Sequence, residues 1–152
     1  MNDKSKAPNF LGLIDENNQI SLSDYKGSFL VLYFYPKDKT SGCTIQSQDF
    51  RDYKKKFANK NCKIIGISRD SIKSHKSFTE KESLNFPLIS DPDETMCNAY
   101  GVMKEKSMYG RKYMGIERST FVIDPDGNLI KEWRGVKVPG HVEEVYNFIC
   151  EL

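Results

Sequence analysis

An α/β protein built on a central mixed β-sheet with helices on both faces is the fold class that this chain of 152 residues predicts. Three observations carry that expectation. Phe29 to Tyr35 is almost unbroken apolar sequence, as in a strand covered on both sides. Segments whose apolar residues recur three and four apart follow it, the pattern of helices with one buried face. Short apolar runs separate those segments, so strands and helices alternate as they do when helices cross over a sheet.

Phe10 to Ile14 and Gln19 to Leu22 flank the turn-rich Asp15-Glu16-Asn17-Asn18, which predicts an N-terminal β-hairpin. After the strand at Phe29 to Tyr35, the stripe Phe50, Tyr53 and Phe57 predicts a helix from Cys43 to Phe57. Lys63 to Ser68 reads as a second strand, and Ser71 to Ser83 as a helix capped by Asp70 or Ser71. Phe86-Pro87-Leu88-Ile89 is a short extended piece at a strand end or a sheet edge, because proline cannot donate to a ladder. Asp91-Pro92-Asp93 starts a short helix that Gly101 can end. Ser119 to Ile123 and Asn128 to Trp133 enclose Asp124-Pro125-Asp126-Gly127, with proline second and glycine fourth in the turn. A last helix runs from about Pro139 to Cys150, with Val142, Val145 and Ile149 on one face. This order is that of a thioredoxin-like fold in a single domain, 1–152, whose site lies beyond the C-terminal end of a central strand.

Composition narrows the function by exclusion. Lys and Arg total 23 against 21 Asp and Glu, and a net charge of +2 makes no electrostatic case for nucleic acid or a membrane surface. Lys54-Lys55-Lys56 reads as a solvated helix face with Asp52 three and four residues before two of the lysines. The longest apolar run is far too short to span a bilayer, and Met1 to Asn9 is polar with no hydrophobic signal core. A cytoplasmic location, where thiols stay reduced, is the expectation.

The four cysteines, Cys43, Cys62, Cys97 and Cys150, form no Cys-x-x-Cys pair, and the two histidines, His75 and His141, complete no zinc spacing. No metal or cofactor is expected. Cys62 and Cys150 read as small buried hydrophobes and both histidines as solvated helix residues. Cys43 differs, because it stands where a strand stops at Pro36 and a helix begins. A thiol in the first turn of a helix meets unpaired N–H groups and the positive end of the dipole, which favour its ionised form.

The run Pro36-x-x-x-Thr40-x-x-Cys43 matches the active-site signature of the peroxiredoxins. Tyr33 to Asp38, Cys43-Thr44 and Phe50-Arg51-Asp52 resemble the peroxiredoxin Q or bacterioferritin comigratory protein branch. The similarity extends to Ser90-Asp91-Pro92-Asp93, Ala99 to Val102 and Arg118 to Asp124, and so covers almost the whole chain. The resemblance implies an antioxidant thiol peroxidase that reduces hydrogen peroxide and organic hydroperoxides to water and alcohols through a Cys43 sulfenic acid. It implies that Cys43 is the nucleophile, that the Thr40 hydroxyl lies near sulfur and peroxide, a role compatible with the helix N-cap that a threonine there reads as by itself, and that Pro36 shields the sulfur. Arg118, which nothing in the local sequence singles out, would bind thiolate and peroxide together. Thioredoxin or another thiol donor would re-reduce the enzyme, and the chain would be a monomer.

In one respect the chain departs from the pattern. Many members of the branch carry a resolving cysteine five residues after the first, where this chain has Gln48, and the expected helix Ser71 to Ser83 has none either. Two routes remain: resolution by an external thiol, which is the preferred one, or by Cys97 after local unwinding. Two other functions stay in view. A thioredoxin-like disulfide reductase would need a second cysteine where Gln46 stands, whereas a redox sensor or holdase would need only the same acidic thiol.

Overall fold

The computed structural model describes residues 5–152, so the first part of the polar amino terminus lies outside the described residues. In chain order the strands are β1 Ser5–Lys6, β2 Leu11–Leu13, β3 Gln19–Ser21, β4 Phe29–Phe34, β5 Cys62–Ser68, β6 Leu88–Ser90, β7 Met103–Met108, β8 Arg111–Ile116, β9 Ser119–Ile123 and β10 Asn128–Arg134. The helices are α1 Ser41–Asn59, α2 Ile72–Glu82, α3 Thr95–Ala99 and α4 His141–Cys150. Among the described residues, eight strands form one sheet in the order β1-β10-β9-β4-β5-β6-β2-β3. The pairs β4·β5 and β5·β6 are parallel and the remaining pairs antiparallel, which makes the sheet mixed.

Alternation along β4 sorts the core into two layers, since successive side chains point to opposite faces. Leu30, Leu32 and Phe34 pack with Ile65, Ile67, Phe121 and Ile123 of the neighbouring strands and with Met96, Cys97 and Tyr100. Val31, Tyr33 and Tyr35 pack with Cys43, Phe50 and Phe57 of α1, Phe78 of α2, and Val142, Val145 and Ile149 of α4. Helices therefore cover both faces, with α1, α2 and α4 on one and α3 on the other, as a thioredoxin-like sheet requires. Gly66 of β5 leaves room for the Tyr33 ring, whose nearest atom would lie 2.8 Å from a Cβ there.

The expected elements form, and the differences have physical causes. Pro87 lies just before β6, which is flanked by β5 and β2, so the strand-end reading holds and the edge reading does not. Ser71 rather than Asp70 caps α2, its hydroxyl accepting the Ser74 N–H at 3.1 Å. The hairpin β7–β8 is new, because its strands are too polar and lysine-rich for an apolar period to reveal them. Its turn sets both Tyr109 and Gly110 at positive φ, +53° and +77°, and a tyrosine there is no usual hairpin signal.

Both histidines are buried, against the solvated reading, and each is tolerated because its ring finds polar partners. His75 lies between Asp38 and the Ile89 carbonyl, at 2.7 and 2.9 Å. His141 meets the Thr120 hydroxyl at 2.8 Å and packs edge-on against Trp133. Cys62 is buried as expected, but Cys150 is exposed, since it sits one residue beyond the stripe that ends at Ile149. Among the described residues no helix is long and apolar enough to cross a membrane.

Burial pushes His141 down from 6.5 to about 4. The unfolded chain takes up a proton near pH 6.5 that folded His141 refuses until about pH 4, so acid favours unfolding across that window. Urea unfolding followed by Trp133 fluorescence should show stability falling by roughly 2 kcal/mol between about pH 7 and 5, and His141→Phe should lack most of that fall.

Candidate active site

The active-site loop begins where β4 runs out. The Tyr35 N–H still joins the ladder, donating to the Ile67 carbonyl at 3.0 Å, and Pro36 then has no N–H to continue it. Lys39 turns the chain with φ +65°, and Thr40, in extended conformation, becomes the N-cap of α1. The first helical bond, from the Thr44 N–H to the Thr40 carbonyl at 2.9 Å, leaves the N–H groups before it without acceptors in the helix. Cys43 is the third residue of that turn and is 1% exposed.

Thr40 occupies the expected cap position, but its hydroxyl does not cap the helix. It donates instead to the Lys37 carbonyl at 2.8 Å, which commits its hydrogen and leaves the oxygen lone pairs able to accept from a bound molecule.

Arg118 directly precedes β9. The antiparallel register sets Ser119 opposite Phe34, so residue 118 lies beyond the same end of β4 as Pro36 and Cys43. The Val136 N–H donates to its carbonyl at 2.9 Å and holds its backbone. One guanidinium nitrogen, Nη2, lies 3.4 Å from Cys43 Sγ, and the other, Nη1, donates to Gln46 Oε1 at 2.5 Å. Structure thus brings Cys43, Thr40, Pro36 and Arg118 to one end of β4. A permanent cation and a helix N-terminus beside a sulfur shut away from water are groups able to stabilise negative charge there.

Cys97 is not part of this cluster. It is fully buried on α3, in the core layer on the opposite face of the sheet from the layer that holds Cys43. Its N–H donates to Asp91 at 2.8 Å, and burial, with Asp91 beside it, pushes its thiol well up. Burial likewise pushes Cys62 up to about 12. Gln48 donates to Glu82 Oε1 at 2.7 Å, and Arg51 donates to the Glu82 carbonyl at 2.7 Å, tying α1 to the end of α2.

Two contributors escaped the sequence. Gln46 is fully buried one turn after Cys43, a polar residue on the apolar stripe of α1, and that anomaly was the available signal. Gly42 leaves room for the guanidinium, since a Cβ there would lie 3.3 Å from Arg118 Nη2. Asp38, Asp70 and His75 stand as close together as metal ligands do, but their facing atoms are already engaged with one another and with Tyr35, Ser68, Ser74 and Ile89.

A thioredoxin-like sheet carrying a shielded cysteine in the first turn of a helix, under an arginine, defines the class of thiol-dependent peroxidases. The AhpC/TSA family matches residues 4–132. Peroxiredoxin Bcp of Bacillus subtilis is 51% identical over 147 residues, covering 97% of this chain and 94% of that protein. A putative peroxiredoxin bcp of Coxiella burnetii is 49% identical over 140 residues, 92% of this chain and 93% of that one. Among solved structures, a peroxiredoxin Q variant of Xylella fastidiosa superposes with a TM-score of 0.92 at 43% identity, covering 99% of this chain and 96% of that one. The bacterioferritin comigratory protein of Xanthomonas campestris, described with alkyl peroxide reduction activity, gives 0.89 at 44% identity over 93% and 90%. The chain belongs to the AhpC/TSA family, in its peroxiredoxin Q or Bcp branch, and is a thiol peroxidase.

Gly42→Ala should separate stability from catalysis. Alanine favours the helix by up to about 1 kcal/mol, so Tm should hold or rise, while its Cβ presses on Arg118 and peroxide consumption in stopped flow should slow.

Proposed function

We propose that Cys43 is the peroxidatic nucleophile for hydrogen peroxide and small organic hydroperoxides, that Arg118, Thr40 and Pro36 shape its site, and that an external thiol recycles it. The observation that carries this reading is the 3.4 Å approach of Arg118 Nη2 to Cys43 Sγ. The thiolate attacks one peroxide oxygen in line with the O–O bond. An S–O bond forms as the O–O bond breaks, and the departing oxygen takes a proton and leaves as water or an alcohol. Arg118 stabilises the charge as it moves from sulfur to the leaving oxygen, and Gln46 holds the guanidinium in place. Thr40 Oγ1 accepts the hydroperoxide hydrogen and so orients the bond to be broken. Pro36 shields the sulfur without adding a competing N–H.

The Cys43 sulfenic acid is then attacked by a thiol of the reductant, which forms a mixed disulfide and releases water, and a second thiol restores Cys43. Thioredoxin or a similar donor fits this step. Gln48 in place of a cysteine, and Cys97 buried behind the sheet, support external resolution. Disulfide exchange on the thioredoxin pattern is disfavoured, because Gln46, at the second thiol's place, is buried and bound to Arg118. The enzyme acts as a monomer in the cytoplasm.

Cys43→Ser should abolish peroxide consumption measured by stopped flow, and Arg118→Ala should slow Cys43 oxidation about 10²- to 10³-fold with the fold intact. Activity of Cys43→Ser at the wild-type rate would refute the assignment. Non-reducing peptide mapping after one equivalent of peroxide and a small thiol should find Cys43 joined to that thiol; a Cys43 to Cys97 peptide would establish internal resolution instead.

A further inference from the structure

The loop between β4 and α1 is anchored by a polar cluster that lies outside the reacting atoms. Asp38, 4% exposed, accepts from the Tyr35 hydroxyl at 2.6 Å on one oxygen and from Ser74 at 2.8 Å on the other, which also faces His75 Nδ1 at 2.7 Å. Its N–H donates to Asp70 Oδ2 at 2.8 Å, an oxygen that also accepts from Ser68 at 2.6 Å. His75, 2% exposed, turns Nε2 to the Ile89 carbonyl at 2.9 Å. That carbonyl can only accept, so Nε2 is the donor there, and Nδ1 faces the Asp38 carboxyl. The two side chains form a hydrogen-bonded pair in the interior. Burial opposes ionisation of Asp38, but the donors His75, Tyr35 and Ser74 outweigh it and hold its carboxyl below the usual range.

A buried hydrogen-bonded pair adds little net stability over apolar side chains of the same shape, whereas removing one partner leaves the other unsatisfied and is costly. Its place suggests its use. Asp38 lies two residues before Thr40 and five before Cys43, and through His75, Ser74 and Asp70 it pins that stretch to α2 and to the ends of β5 and β6. Lys39 adds a bond to Ser77 at 2.7 Å. Cys43 itself is almost inaccessible, so a thiol can reach an oxidised Cys43 only after this stretch moves.

We propose that the Asp38–His75 pair is a positioning latch for the Cys43 loop: closed, it holds Thr40 and the first turn of α1 in the geometry that reduces peroxide, and open, it lets a thiol reach the Cys43 sulfenic acid. His75 is thereby a positioning residue that acts through Asp38. The groups facing it are Tyr35 just after β4, Asp38 from the loop and Ile89 from β6, with Asp70 beside Asp38 and Lys76 next on α2.

The proposal rests on Cys43 as the oxidised residue, and the two can fail separately. Quench-flow mass spectrometry of the full chain would time Cys43 oxidation by hydrogen peroxide. In a second experiment, the pre-oxidised protein is mixed with 5-thio-2-nitrobenzoate and the loss of its colour times thiol attack. His75→Phe keeps the ring and removes both bonds; His75→Gln replaces it should the first fail to fold. Oxidation should slow by roughly 10- to 100-fold while thiol attack speeds up. A merely structural role would slow both steps or neither, and either result overturns the latch, as does slow oxidation without faster thiol attack. Zinc that raises the Tm of the wild type but not of the variant would make the cluster a metal site and also overturn it. Wild-type protein oxidised at another cysteine would instead sink the assignment of Cys43.

Discussion

The contact on which the architecture of this site depends is the approach of a permanent cation, the Arg118 guanidinium, to within 3.4 Å of a sulfur shut away from water. Arg118 and Cys43 stand 75 residues apart in the chain, and the register of β9 on β4 joins them. A slip of one residue would turn Arg118 to the other face of the sheet, away from the sulfur. The contact also explains small details nearby: Gly42 has no side chain where the guanidinium passes, and Gln46 is polar where the helix should be apolar.

The same alternation that builds the core in two layers separates the thiols. Cys43 belongs to the layer under α1, α2 and α4, while Cys97 belongs to the layer under α3, with the sheet between them. Joining them would require α3 or the start of α1 to leave its layer. Gln48 and Arg51 hold the second and third turns of α1 to the end of α2, and the cluster around Asp38 holds the loop before it. Access to the Cys43 sulfur from solvent is thus limited by a short, well-anchored stretch of chain.

Much of the fold could be read directly. Phe29 to Tyr35 announced a covered central strand, and the stripe at Phe50, Tyr53 and Phe57 announced α1, because burial on one face leaves a period in the sequence. The β7–β8 hairpin could not be read, since it forms a separate two-stranded sheet whose residues face solvent on much of their surface and carry lysines where a core strand would carry valines. The histidines were misread for a related reason. An imidazole is as common at a surface as in a core, and what decides is whether carboxylate, hydroxyl or carbonyl partners wait for it, as Asp38, Thr120 and Ile89 do here.

By itself the sequence determined the order of the elements and the setting of Cys43, because a strand stopped by Pro36 and a helix beginning near Cys43 are local events. It also determined that position 48 carries no thiol. Only the tertiary structure decided which distant residues meet that sulfur, that the Thr40 hydroxyl turns back to the loop, and that Cys97 lies behind the sheet. Those outcomes depend on strand register and on which face each side chain takes, and both are set by packing between segments far apart in the chain.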